Sequence, residues 1–145
     1  MSNSTLLAIP AMYITTLVPH FYAISLIKRA NNGRYANANA HGSAFAQHLQ
    51  RAVPAATLAQ YERAERAHRN GLENLPLFAA AVLAARLAGV EHAVGATAWA
   101  YVASRVVYNG LYIRIEDDRK AVARSGVWAA GLVLCLSLFV RAAMV

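Results

Sequence analysis

Long apolar stretches alternate with shorter polar ones along this chain. Leu6–Ile27 runs for 22 residues without Asp, Glu, Lys or Arg. At ~1.5 Å rise per residue, about 20 such residues cross the ~30 Å hydrocarbon core of a bilayer as a helix. Three later stretches are apolar but each carries a single arginine: 74–90 has Arg86, 93–113 has Arg105 and 125–145 has Arg141. The pattern predicts helices over about 6–27, 55–88, 92–114 and 122–144, in a single domain over 1–145. Pro54 suits the start of the second helix and Gly89 its end. At about 34 residues that helix would reach ~50 Å, so its first half must project beyond the hydrocarbon. The expected architecture is an all-α, multi-pass integral membrane four-helix bundle. A soluble Ala-rich bundle competes with it, but 6–27 and the last twenty residues offer no polar face to water.

Composition sharpens this picture. Hydrophobic residues make up 58% of the 145 and charged ones 14%, against about 45–50% and about 25% for an ordinary soluble domain. There are 32 alanines, which favour helix. The single cysteine, Cys135, excludes a disulfide framework and a multi-cysteine zinc site; in its apolar run it reads as a small buried hydrophobe. Neither His41 and His48 nor the acidic run Glu116-Asp117-Asp118 has metal-ligand spacing, and no metal is expected. The first helix lacks the basic flank and cleavage site of a signal peptide. Asn3-Ser4-Thr5 fits a glycosylation sequon but lies close to the membrane.

The formal charge of +7 is unevenly distributed. Lys28, Arg29, Arg34, Arg51, Arg63, Arg66 and Arg69 follow the first apolar stretch, and Arg114, Arg119, Lys120 and Arg124 follow the third. The opposite side has Arg86 and Arg141. Cationic residues concentrate on the cytoplasmic side, so the first and third connections are expected there and both termini outside or in the lumen. The charge therefore serves orientation and a site, and nucleic acid is not an expected partner. The first connection, about 28–56, reads as a structured or mobile loop rich in Asn, Gly, His and Ala.

Two polar stripes interrupt the helices. At about 100° per residue, Glu62, Arg66, Arg69, Asn70 and Glu73 share a face about 100° wide. Ala64, Ala67, Gly71 and Leu72 lie opposite, with His68 also away from the stripe. The i, i+4 spacing of Glu62–Arg66 and Arg69–Glu73 allows salt bridges on a solvated face. Glu73 should nevertheless sit at membrane depth, where ionised groups turn to a bundle interior or polar cavity. In the third helix Arg105, Tyr108, Asn109 and Tyr112 share a face, which Tyr101 extends. A guanidinium fork with phenols can fix an anion; alternatively Arg105 bridges to Glu73. Arg124-Ser125, then Trp128, open the last helix as a cation, a hydroxyl and an interfacial aromatic. His20, after Pro19, is a candidate to line a cavity. Four arginines with Glu73 and Asn70 suit a zwitterionic peptide better than a phosphate.

The run Glu62-Arg63-Ala64-Glu65-Arg66-Ala67-His68-Arg69-Asn70-Gly71-Leu72-Glu73-Asn74, then Pro76-Leu77-Phe78, resembles the second-helix signature of the MAPEG family, the membrane-associated proteins in eicosanoid and glutathione metabolism. Arg105-Val106-Val107-Tyr108 with Tyr112 is similar to its third-helix pattern. Arg124-Ser125 is similar to the pair opening the fourth helix of its prostaglandin E synthase branch. The resemblance implies a homotrimer in a microsomal or bacterial inner membrane, with glutathione as cosubstrate between subunits. It implies binding by Arg69, Asn70 and Glu73 from the second helix, whose stripe adds Arg66 as a further cation for a carboxylate, by Arg105, Tyr108 and Tyr112 from the third, and by Lys28 or Arg29 from the first. It gives Arg124 and Ser125 the catalytic roles of stabilising the thiolate and orienting the thiol.

The implied activity is a glutathione transferase or peroxidase acting on lipophilic electrophiles drawn from the bilayer. A free thiol titrates near 8.5, and lowering it by about 2 units corresponds to ~2.7 kcal/mol, within reach of a guanidinium at ~4–6 Å. Two alternatives stand beside it: a non-catalytic lipid-binding scaffold of the same family, and an isomerase or cyclase of a hydrophobic metabolite. The full set of Arg105, Arg124 and Ser125 favours the enzyme over the scaffold.

Overall fold

The computed structural model describes residues 4–40 and 42–145, except for the side chain of Asp118. Asn3 of the sequon and His41 lie outside the described residues. The described residues form five helices, α1 Ser4–Ala30, α2 Ser43–Ala52, α3 Ala55–Leu87, α4 Glu91–Arg114 and α5 Asp118–Ala143, with a 3-10 turn at Asn37–Asn39 between α1 and α2. The described residues contain no strand. Five helices replace the expected four because the first connection folds a helix of its own. Phe45 and Leu49, four apart, form the buried edge of α2 and pack with Val53 on Ile27, Tyr61 and Ala64.

The four long helices pack by small-residue contacts. Thr5, Ala8, Met12, Thr16, Pro19, Ala23 and Ile27 repeat at three- and four-residue intervals along the buried edge of α1. They meet a buried edge of α3 that includes Ala64, Ala67, Gly71 and Phe78. At Gly71 an added Cβ would lie 2.6 Å from Thr16 Cγ2, so the glycine sets how closely the backbones approach. Leu72, opposite the polar stripe on the helix wheel, is exposed. The main core combines Met12, Phe78, Val82, Val94, Ala98, Tyr101, Cys135 and Leu138 from all four long helices.

Proline inside α1 is repaired by its neighbours. Pro19 has no N–H, which removes the backbone donor for the carbonyl four residues earlier, that of Thr15. Asn109 Nδ2 of α4 donates to that oxygen at 3.0 Å. One residue on, His68 Nδ1 of α3 lies 2.7 Å from the Thr16 carbonyl oxygen. Asn109→Leu should therefore cost about 1–3 kcal/mol. Pro19→Ala in that background should recover most of it by returning a backbone donor, as thermal unfolding in detergent would show.

The α3–α4 turn is fixed at the other end of the bundle. Gly89, at φ +72°, stops α3 in the left-handed region. The Arg86 guanidinium donates to the buried carboxylate of Glu91, whose backbone oxygen accepts from Thr5 Oγ1 at 2.8 Å. A hydrogen bond from its own backbone amide and then the Arg86 guanidinium hold the Glu91 carboxyl below the usual glutamate range, against the opposing effect of burial. A depressed carboxyl stabilises the fold above its unfolded pKa and loses that contribution as pH falls through the folded value. Stability should thus drop as pH falls below about 4.3. In Glu91→Gln that part of the pH dependence should be absent from the unfolding profile.

Among the described residues, α1 and 119–143 of α5 are long and apolar enough to cross a membrane. Their outward flanks are apolar, with Leu7, Ile14, Val18, Phe21, Val133 and Val140 more than half exposed apart from the protomer's own packing. The accessible surface is 8556 Å², against about 7,200 Å² expected for a compact soluble chain of this mass. Apolar rods with such flanks need lipid or partner subunits around them.

Candidate functional site

The site is built from α4 outward. Arg105 is 2% exposed and is the largest fully buried side chain. Its Nη2 donates to Asn70 Oδ1 of α3 at 2.6 Å, while its Nε has no hydrogen-bond partner among the described residues. Its Cζ lies 4.2 Å from the centre of the Tyr108 ring, one turn further along α4. Tyr108 packs at 5.5 Å and 56° against Tyr112. The guanidinium of Arg124, from α5, covers the other end, with Cζ 4.1 Å from the Tyr112 ring centre. The result is a ladder of Asn70, Arg105, Tyr108, Tyr112 and Arg124 across three helices. Cations stacked on aromatic faces keep their in-plane N–H donors available.

The ladder has two cations and no acid. No described carboxylate comes within 4.0 Å of Arg105 or Arg124. The alternative in which Arg105 bridges to Glu73 is thus replaced by the Asn70 hydrogen bond. A buried guanidinium held by one neutral acceptor keeps unmet demand for negative charge. The pieces from different helices therefore converge on a locus suited to an anion.

The other predicted residues are placed differently. Arg66, Arg69 and Glu73 are exposed, with Asn70 half-buried at the edge of their stripe. Neither Glu62–Arg66 nor Arg69–Glu73 forms an ion pair among the described residues. The stripe faces away from the protomer core because Ala64, Ala67 and Gly71 on the opposite edge pack on α1. Glu73 therefore does not turn into a polar interior of the single chain. Lys28 and Arg29 are exposed on the last turn of α1, 13 and 14 positions beyond the Thr15 contact with Asn109 and so about 20 Å further along that helix. They do not join the ladder within one protomer. Ser125 is exposed, its Oγ 3.4 Å from the Ala121 carbonyl. Tyr101 leaves the stripe and stacks on Phe78 in the core at 4.3 Å.

A sequence model of the MAPEG family matches residues 6–144. The chain belongs to the MAPEG family. No curated protein and no solved structure matches it significantly. MAPEG is a family of membrane proteins whose enzymes use glutathione as cosubstrate, and it includes glutathione transferases and related enzymes. This MAPEG chain is accordingly a membrane protein of a glutathione-related family.

A second polar cluster escaped the sequence reading as a unit. His20 Nδ1 lies 2.8 Å from Glu65 Oε1, and its ring stacks on His68 at 4.8 Å. His20 also lines a 320 Å³ cleft with Tyr35 and Asn39. The available signal was that Glu65 and His68 are three apart on α3, one turn of a single face. The acidic run before α5 also has definite work: Asp117 accepts from the Arg119 amide at 2.9 Å as the N-cap, and Glu116 pairs with Arg63 at 2.6 Å.

Proposed function

We propose that this chain is a multi-pass, homotrimeric glutathione transferase or peroxidase acting on lipophilic electrophiles from the bilayer. The observation that carries the reading is Arg105: a buried guanidinium with one neutral acceptor, continued by two tyrosines to a second guanidinium. Glutathione fits this donor set, since it brings two carboxylates and a sulfur that can ionise. Arg105 and Asn70 would hold a carboxylate, and Tyr108 and Tyr112 would flank the peptide. Arg124 would stand by the sulfur, with Ser125 on the next position orienting the thiol.

The outward stripe of Arg66, Arg69 and Glu73 supports a site closed by a neighbouring subunit. In a trimer, Lys28 or Arg29 of one protomer could complete the site of another, although they are remote from its own ladder. In conjugation the thiolate forms a C–S bond, and either a leaving group departs or the resulting carbanion takes a proton. In peroxide reduction two glutathione molecules become the disulfide while the hydroperoxide becomes an alcohol and water.

Adding millimolar glutathione to the detergent-purified protein should produce thiolate absorbance in the ultraviolet. Arg124 is half-buried, so its effect is partly screened. Arg124→Ala should raise the bound thiol pKa by about one unit, read from the pH dependence of that absorbance, with trimer size unchanged by light scattering. Products with a panel of lipophilic electrophiles and hydroperoxides, identified by mass, would define the reaction. Absence of glutathione binding would overturn the proposal and favour the scaffold reading.

A further inference from the structure

A 410 Å³ groove runs along the outside of the bundle between α1 and α4, away from the arginine–tyrosine ladder. Ile14 and Val18 of α1 face Val106 of α4 across it, and all three are more than half exposed. Its floor is open at Gly110, where an added Cβ would meet nothing within 4 Å. At the lower end the walls become polar: Gln60 Nε2 donates to the Tyr22 hydroxyl at 3.0 Å, and Arg114 closes α4. Arg114 is the one charged lining residue, is exposed, and pairs with no described acid.

We infer that this groove binds one anionic phospholipid, with an acyl chain between α1 and α4 and the phosphate on Arg114. The order of groups along the groove carries the inference. From Arg114 to Val106 is eight residues, about 12 Å of helix, and the lining passes from a cation through Tyr22 and Gln60 to a mainly apolar stretch of Ile14, Val18 and Val106, where the Thr15 hydroxyl and the Asn109 amide already donate to α1 carbonyls. A phospholipid presents the same sequence in the same direction: negative phosphate at the interface, then ester oxygens, then chain. A neutral lipid would cover the apolar part but would leave the guanidinium without a counter-charge.

The inference is independent of glutathione, so its test is made without it. The full-length protein, purified in detergent and stripped of lipid, is titrated with dioleoylphosphatidylglycerol or dioleoylphosphatidylcholine and read by native mass spectrometry. Wild-type protein should retain one phosphatidylglycerol per chain with about fivefold preference, the effect of one cation near a phosphate. Arg114→Gln should bring the two lipids to within about twofold of each other. Gly110→Leu should fill the groove and remove this bound lipid. Lys120→Gln, which removes a cation six positions along the chain that does not line the groove, should keep the preference. Equal retention of both lipids by wild type, or an undiminished preference in Arg114→Gln, overturns the inference. Should Gly110→Leu fail to fold by circular dichroism, the Arg114→Gln and Lys120→Gln pair decides alone. A disulfide between copies carrying Val106→Cys, formed in lipid vesicles, would show that a second protomer occupies the groove and would also overturn it.

Discussion

Arg105→Met is expected to weaken glutathione binding by about 100-fold while leaving the unliganded protein as stable as before or more so. The two effects have one cause. Arg105 is 2% exposed, bonded to Asn70 at 2.6 Å, and unpaired at Nε. Losing a charge-assisted, forked contact to a carboxylate costs about 1.5–3 kcal/mol, which reaches 100-fold near the upper value. Without ligand the same guanidinium is a desolvated charge lacking a counter-ion, and replacing such a group with a similar apolar side chain is often neutral or stabilising. Asn70→Asp should act the same way by a different route: the new carboxylate pairs with Arg105, raises stability and competes with the ligand. Isothermal titration with glutathione and thermal unfolding, run on the same preparations, read both quantities. If Arg105→Met lost stability and kept its affinity, Arg105 would be a structural residue and the proposed site would fall.

The largest effect on stability is expected at Gly71. An added Cβ there would stand 2.6 Å from Thr16 Cγ2 and 2.9 Å from Thr16 Cβ. These are branched atoms next to the α1 backbone and have little room to swing away. Gly71→Leu should destabilise by about 3 kcal/mol, at the upper end of ordinary overpacking, and lower the unfolding midpoint by roughly 10 °C for a chain of this size. The clash is steric and does not depend on whether water or lipid surrounds the bundle. Gly71→Leu with Thr16→Gly should recover much of the loss, whereas the same leucine change at Gly126, where an added Cβ meets nothing within 4 Å, should cost little. An unchanged midpoint in Gly71→Leu would mean that α1 and α3 do not approach as closely as described.

Much of the helical layout was legible because its punctuation is local. Pro54 and Gly89 bracket α3, which runs from Ala55 to Leu87, and a proline ring or a positive φ acts on its own residue whatever the fold around it. The grouping of Arg105, Tyr108 and Tyr112 on one face of α4 follows from helical periodicity alone. The partner of each face was harder to read. Angles on a wheel cannot tell that Asn109 turns to α1, that Tyr101 stacks with Phe78, or that Asn70 reaches Arg105 while Glu73 stays outside. Those outcomes depend on where the alanines and Gly71 let α1 approach, a property of two helices together. The helix α2 was hidden for another reason: its apolar signal is only Phe45 and Leu49 in an Ala- and Gln-rich run. Pro19 does leave a trace in the sequence, since a missing amide calls for a substitute donor somewhere in the bundle, the part that Asn109 plays.

The mending of α1 has a mechanical consequence. Its carbonyls at Thr15 and Thr16 are tied to two different neighbours, Asn109 on α4 and His68 on α3. The middle of α1 is thereby bolted on two sides, and swinging it outward would break both fastenings together. A greasy guest arriving sideways would find that doorway shut at mid-height and would have to slip in nearer one end of the rod.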